Sequence, residues 1–205
     1  MYSPQTILSK NIKTGCSINL PIKGHCTPTK NCAHDCYGKC GHTVYPVSLR
    51  KQKYVSDYLK NNDLSRLITE CQKRTAVRIS GVGDLLIEHV NNIINLAKAC
   101  PNTMFWGMTR KINIANAINH KLPNLKLLLS VDASSPSSVW NYPDKICFGP
   151  RRANDSVPDD PRIQTVFPRH FAGRIVGPVP YHRKDCPAVR HTVSGCLECG
   201  HCWKW

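Results

Sequence analysis

The chain has 205 residues, with 28 Lys plus Arg against 13 Asp plus Glu, a formal charge of +15 at pH 7. Its 41% hydrophobic and 20% charged content is that of a globular protein and excludes a disordered tail. No run of roughly 18 apolar residues exists to span a bilayer, and the first ten residues lack the apolar core of a signal peptide. The expected location is therefore the cytoplasm, with no membrane partner. Residues 1–45 are polar, punctuated by Gly and Pro, and rich in Cys, so they read as loop and short strand. Residues 46–73 place Val47, Tyr54, Val55, Tyr58, Leu59, Leu64, Leu67 and Ile68 at near-helical spacing, which predicts two helices broken around Asn61-Asn62. A rhythm follows. Strands are predicted at 76–80, 103–108 and 125–131, with helices at 87–100 and 112–120 between them, stopped by Pro101 and Pro123. That β-α-β-α-β order is the pattern of a parallel sheet or barrel. Further strands are expected at 146–148 and 163–167, and residues 168–205 show little periodicity.

Twelve cysteines stand out. In a reducing cytosol clustered cysteines read as metal ligands or redox groups. Cys16, Cys71, Cys100 and Cys147 are scattered and read as small core residues. The other eight form two groups. The terminal group, Cys186, Cys196, Cys199 and Cys202, has the spacing C-x9-C-x2-C-x2-C. Zinc sites favour two separated pairs, whereas an unbroken C-x2-C-x2-C run is more typical of a 4Fe-4S cluster. The first group, Cys26, Cys32, Cys36 and Cys40, is spaced C-x5-C-x3-C-x3-C, with His25, His34 and His42 close by. Three ligands would leave an iron open for catalysis; four would close the site. Zinc is the alternative metal at either group. Strand-end residues such as Ser80-Gly81, Thr109-Arg110 and Asp132 lie where parallel sheets and barrels bind ligands.

Four stretches together resemble the phage gene product 88 family: Asn11–Gly15; Cys26 to Gly38; Val77–Asp84 followed by Pro101–Arg110; and Cys186-Pro to Cys202-Trp203. The same pieces are similar, more distantly, to radical S-adenosylmethionine (SAM) enzymes. That resemblance implies an α/β fold, a partial βα barrel of about six strands, over residues 1–170, with a terminal four-cysteine module at 171–205. It implies a cluster on Cys26, Cys32 and Cys36, and SAM positioned by Gly81, Gly83, Asp84 and Tyr37. Asp84 and Asp132 are the candidate catalytic carboxylates, Asp132 as the base of a hydrolase or transferase on the same βα scaffold, a class for which no paired-carboxylate, Ser-His-Asp or phosphate-loop signature is present. The departures are in the cysteine spacing, where the family has C-x3-C-x2-C, and in Asp84, which stands for Glu with no Pro after it.

Two function classes compete. One is an iron–sulfur enzyme, with one or two 4Fe-4S clusters and SAM, acting on nucleic acid or another polyanion. The other is a non-enzymatic protein, stapled by iron–sulfur or zinc sites, that binds nucleic acid or a host protein. Residues 1–60 carry nine bases against two acids. That surplus, including Lys51 and Lys53, would meet phosphates, while Tyr37, Trp106, Trp140, Trp203 and Trp205 would stack on bases. A phage origin would place the protein in the cytoplasm of an infected bacterial cell.

Overall fold

The structure, a computed structural model, describes residues 2–61, 63–171, 174–175 and 179–204. The chain opens with a hairpin of β1 (Ser9–Asn11) and β2 (Gly15–Ile18). A short helix α1 (Lys30–His34) lies in the first cysteine segment, followed by α2 (Pro46–Tyr58) and α3 (Ser65–Cys71). The expected break between these two helices is present; Asn62 lies outside the described residues. Then come β3 (Ala76–Ile79), α4 (Val90–Ala99), β4 (Met104–Thr109), α5 (Ile112–Ile118) and β5 (Leu125–Val131). The chain continues through β6 (Ile146–Arg151), β7 (Ile163–Pro168), a small hairpin of β8 (His170–Phe171) and β9 (Arg174–Ile175), and α6 (Cys196–Cys199).

Strands β1 to β7 form one seven-stranded sheet in strictly consecutive order. Strands β2 to β7 are all parallel, and β1 is an antiparallel edge. The sheet is not closed: among the described residues β7 does not pair with β1. The expectation of about six strands thus holds for the parallel set, with an edge strand added. Beyond β7, Val166 exchanges backbone bonds with the segment at Lys184–Cys186, so the terminal segment begins as a bridge along the β7 edge.

Right-handed crossovers between consecutive parallel strands put the helices on one face of the sheet. On that face Val77, Ile79, Phe105, Leu125 and Leu127 pack with Val55, Leu59, Leu67, Ile93, Leu96, Ile114 and Ile118. A second cluster continues the core through Leu129, Val131, Tyr142, Ile146, Phe148 and Ile163. Strand alternation turns Arg78, Trp106, Ser130 and Cys147 to the opposite face, and the β-bulge after Ile163 puts Thr165 there beside Cys147. That face is covered by the chain's own end: Trp203 packs on Trp106, ring centroids 4.8 Å apart.

One polar side chain ties the helix layer to the sheet. Asn119, 3% exposed, donates to the Leu127 carbonyl at 2.9 Å and to the Tyr142 hydroxyl at 2.7 Å, and accepts from the Leu127 N–H at 2.9 Å. It acts as a strand neighbour for β5 at the turn out of α5. Asn119→Ala leaves buried backbone groups unpaired, at about 1–3 kcal/mol each. Urea denaturation should show a loss of about 2–4 kcal/mol with an unchanged slope.

Candidate metal centres

The first cysteine segment runs across the carboxyl ends of the parallel strands. Its fastening begins at Thr29, the N-cap of α1, whose hydroxyl accepts the Cys32 N–H at 3.2 Å. The same hydroxyl donates to Asp132 Oδ2 at 2.5 Å, at the end of β5. One residue on, the Asn31 N–H donates to the Ser134 hydroxyl at 3.0 Å. Asp35 reaches past β6 and β7 to Arg152 at 3.0 Å and Arg169 at 2.9 Å. Burial raises the Asp35 carboxyl, but His34, Arg152 and Arg169 outweigh it and hold its pKa below the usual value. Tyr37 donates its hydroxyl to the Gly81 carbonyl at 2.5 Å, beyond β3.

Within this frame Cys26, Cys32 and Cys36 are electrostatic neighbours of one another. Burial pushes the Cys26 thiol up to about 12, with the charges of Asp84, Cys36 and Cys32 adding and Lys111 opposing. Burial also raises Cys32, against the guanidinium of Arg110, which hydrogen-bonds it. Cys40 turns elsewhere: its thiol donates to the Tyr37 carbonyl at 3.1 Å.

Arg110, at the end of β4, joins the strand ends. Its N–H donates to Asp84 Oδ2 at 3.2 Å, and its guanidinium meets Asp132 Oδ2 at 3.0 Å, Gly149 O at 2.9 Å and Ser130 O at 3.4 Å. Both carboxylates proposed as catalytic are therefore engaged. Asp132, 1% exposed, also accepts from the Ser134 N–H and hydroxyl, both at 2.8 Å. Of these bonds the one from Thr29 holds the cysteine segment, and the others tie Asp132 to Arg110 and to its own turn at Ser134. Asp84, 5% exposed, also accepts the Leu85 N–H, and burial raises its carboxyl against bonds from Thr109 and Arg110.

The glycine element also has packing reasons to exist. A Cβ on Gly83, at φ +75°, would stand 2.3 Å from the Leu20 carbonyl oxygen, and one on Gly81 would stand 2.5 Å from Asn19 Oδ1. Ser80, just before it, is held at φ +54°. Strained non-glycine backbone of this kind clusters at functional sites, and the Ser80 hydroxyl is buried without a partner in the structure.

The terminal group lies on the open face of the sheet. Cys186, Cys196, Cys199 and Cys202 together line one small cavity with Thr165 and Trp203. The Cys196 N–H donates to the Lys13 carbonyl at 2.7 Å, which ties the group to the β1–β2 turn. Gly195 is needed there, because a Cβ would lie 2.7 Å from that same carbonyl oxygen. Burial raises Cys196 to about 11, with Arg78 opposing, and raises Cys202 beside Cys186, Cys147 and Cys196. Cys147 is buried, as its reading as a core residue expects, and it is also a neighbour of the terminal thiols.

Among the described residues, no three His, Cys, Asp or Glu side chains converge on a single-ion site. The surroundings nevertheless suit a negatively charged thiolate centre. Arg78 Nε, Trp106 Nε1 and Thr165 Oγ1 are buried donors with no partner in the structure, a costly state that thiolate or sulfide acceptors relieve. Lys13, its pKa lowered by burial, faces Cys186 and Cys196 and adds positive charge.

Sequence reasoning singled out Arg110 only as a polar residue ending a strand, and it missed Thr29, Asp35, Arg78 and Lys13, which carried no signal. The aromatic set proposed for base stacking is largely spent in packing: Trp106 is 1% exposed and covered by Trp203, and Trp140 lies 6.5 Å from Phe148. Trp205 lies outside the described residues. Lys51 donates to the Leu8 carbonyl at 2.9 Å, so it serves the fold. Among the described residues no helix is long and apolar enough to cross a membrane.

These features define an open-sheet α/β protein with a cysteine group at the strand ends and another on the face opposite the helices. The Gene product 88 family model matches residues 4–205, and the chain belongs to that phage family. No curated protein and no solved structure matches it.

Arg110→Met would strand Asp132 in a buried site without its cation, a change that costs about 3–5 kcal/mol. Arg110→Met with Asp132→Asn should recover part of that loss in urea denaturation. Equal stability of the single variant and the wild type would refute the hub.

Proposed function

We propose that the protein is an iron–sulfur enzyme of radical-SAM-like type, acting on a polyanionic substrate. The observation that carries this reading is in the first group: the charges of Cys32 and Cys36 act on Cys26 and that of Cys36 on Cys32, while the Cys40 thiol donates to the Tyr37 carbonyl. Three thiolates leave one iron of a 4Fe-4S cluster open. Chain order supports the reading. The cysteine segment follows β2, the first parallel strand, and Gly81–Asp84 follows β3, the second. The consecutive parallel strands have the order of a partial barrel.

In this reading Cys26, Cys32 and Cys36 hold the catalytic cluster, and Cys186, Cys196, Cys199 and Cys202 hold an auxiliary one. With SAM bound, the open cluster would supply one-electron chemistry, which is the cofactor's own. The chain supplies the rest. Arg110 and Lys111 offset thiolate charge, Asp132 fixes α1 through Thr29, and Asp35 latches the segment over the strand ends. Tyr37 and the Gly81–Asp84 turn form the wall where the methionine end of SAM would lie. The latches also weigh against a purely structural first site: Thr29, Asn31, Asp35 and Tyr37 fasten that segment without metal. The terminal group differs, since its one helix, α6, has four residues and its thiols surround a cavity. The unbroken C-x2-C-x2-C run is what favours a cluster over zinc there.

Protein purified without oxygen should be brown and contain about eight iron atoms per chain, four per cluster. Cys32→Ala should fall to about half, whereas Cys40→Ala should keep its iron. Adding SAM should shift the electron paramagnetic resonance spectrum of the reduced protein. Colourless zinc protein, or equal iron loss in both variants with a spectrum blind to SAM, overturns the reading in favour of a stapled binding protein. Cys199→Ala should lose the other centre and leave residues 186–204 open to protease, because thiolates without metal do not hold an aperiodic segment. Unchanged metal content and protease resistance in that variant would refute the terminal site.

A further inference from the structure

Beside Cys26, and outside the strand ends, a cleft of about 830 Å³ opens between the 21–28 loop and α2. That is within the range of ligand sites, roughly 300–1,000 Å³. Four lysines line it: Lys23, Lys39, Lys53 and Lys60. Asp57 is the one acidic residue in the lining, and it meets Lys53 at 2.9 Å on the exposed surface. Lys60 pairs with Glu88 at 3.3 Å, also in solvent. Such exposed pairs are weak and exchange readily for a phosphate. Between the cations the wall is apolar, from Ile22, Val44 and Leu49, the last two 40% and 49% exposed.

The inner surface is fixed. His25, 8% exposed, spans from the Asp84 carbonyl at 3.1 Å to the Ser56 hydroxyl at 3.2 Å. Gln52 donates to the Thr43 carbonyl at 3.0 Å, which pins α2 to the segment after Cys40. The cleft is therefore preformed, with positive charge at its lips and an apolar wall between them.

We infer that this cleft binds a nucleotide, with phosphate at the lysines and the sugar and base against Ile22, Val44 and Leu49. An anion with an apolar, flat body matches both halves of the lining; an acidic peptide matches only the charge. The ligand is either a free nucleotide or one unit of a single strand. The role of this ligand as substrate rests on the reading above, because the cleft reaches the first cysteine group at Cys26. Its binding does not.

The test uses the full chain, as purified, at about 50 mM salt, where phosphate contacts are not screened away. Anisotropy of a fluorescein-labelled oligothymidylate of about fifteen nucleotides reads strand binding, and competition by AMP reads the free nucleotide. Lys23→Glu with Lys53→Glu should weaken binding by about tenfold or more. Lys73→Glu with Lys98→Glu makes the same charge change near the amino ends of the strands and should leave affinity within about twofold. Leu49→Ser, which keeps the charge, should weaken binding by about threefold or more. Displacement by AMP assigns the free nucleotide; persistence of the strand signal under AMP assigns the strand. Equal losses in both lysine pairs, full displacement by polyglutamate at matched charge, or no association of either probe overturns the proposal. Loss of probe binding with the SAM-dependent spectrum intact removes the cleft alone. A silent spectrum with probe binding intact removes the catalytic reading alone.

Discussion

The ion pair of Arg110 with Asp132 is the contact on which the strand-end architecture depends. The two side chains are 11% and 0% exposed and 3.0 Å apart. A buried pair of this kind gains little net stability over an apolar pair, but breaking it is costly. Its value here is positional. Asp132 holds α1 through Thr29, Arg110 holds Asp84 through its backbone and Cys32 through its guanidinium, and the same guanidinium holds Gly149 on β6. One residue thus sets the relative positions of β3, β4, β5, β6 and the cysteine segment.

The two ends of the molecule solve different problems. At the strand ends the backbone is fastened by neutral and ionic hydrogen bonds, so three thiols are presented without depending on metal for their position. On the open face the terminal segment has almost no secondary structure. Its packing rests on the Trp106–Trp203 contact, the Cys196–Lys13 bond, the bridge at Val166, the buried pairing of Asp185 with Arg151 and Arg190, and the bonds between Gln164 and His201. The Thr165 hydroxyl, which lines the cavity with its thiols, is buried without a partner in the structure. The first group is held by side-chain bonds to the strand ends, the second by ion pairs and backbone bonds to the β7 edge and the β1–β2 turn.

Much of this was legible in the sequence, and the limits have physical causes. The βα rhythm from 76 to 131 was readable because Pro101 and Pro123 end the helices and buried strands are apolar runs; β5 spans 125–131 as expected. The β1–β2 hairpin was not, since strands of three and four residues carry no periodicity. The helix expected from Ile87 begins as a 3₁₀ turn, because His89 accepts the Leu86 N–H at 3.2 Å and shapes the entry. Both cysteine groups were visible from spacing alone. Which thiol of the first group turns away was not, since that depends on the 3₁₀ turn Tyr37–Lys39 and on the carbonyl it offers to Cys40. The partners of Asp132, Thr29 and Arg110, were not legible because they are far away in sequence.

The covering of the open face by the last residues has a consequence for biosynthesis. Trp106 finds its cover only when Trp203 arrives, and Lys13 its partner only with Cys196. During translation the sheet can form from the amino end, strand by consecutive strand. The face bearing Arg78, Trp106 and Thr165 stays uncovered until residues 186–203 have followed the seven strands. That face is therefore closed after the helix-covered one, so the two sides of the sheet gain their cover at different times.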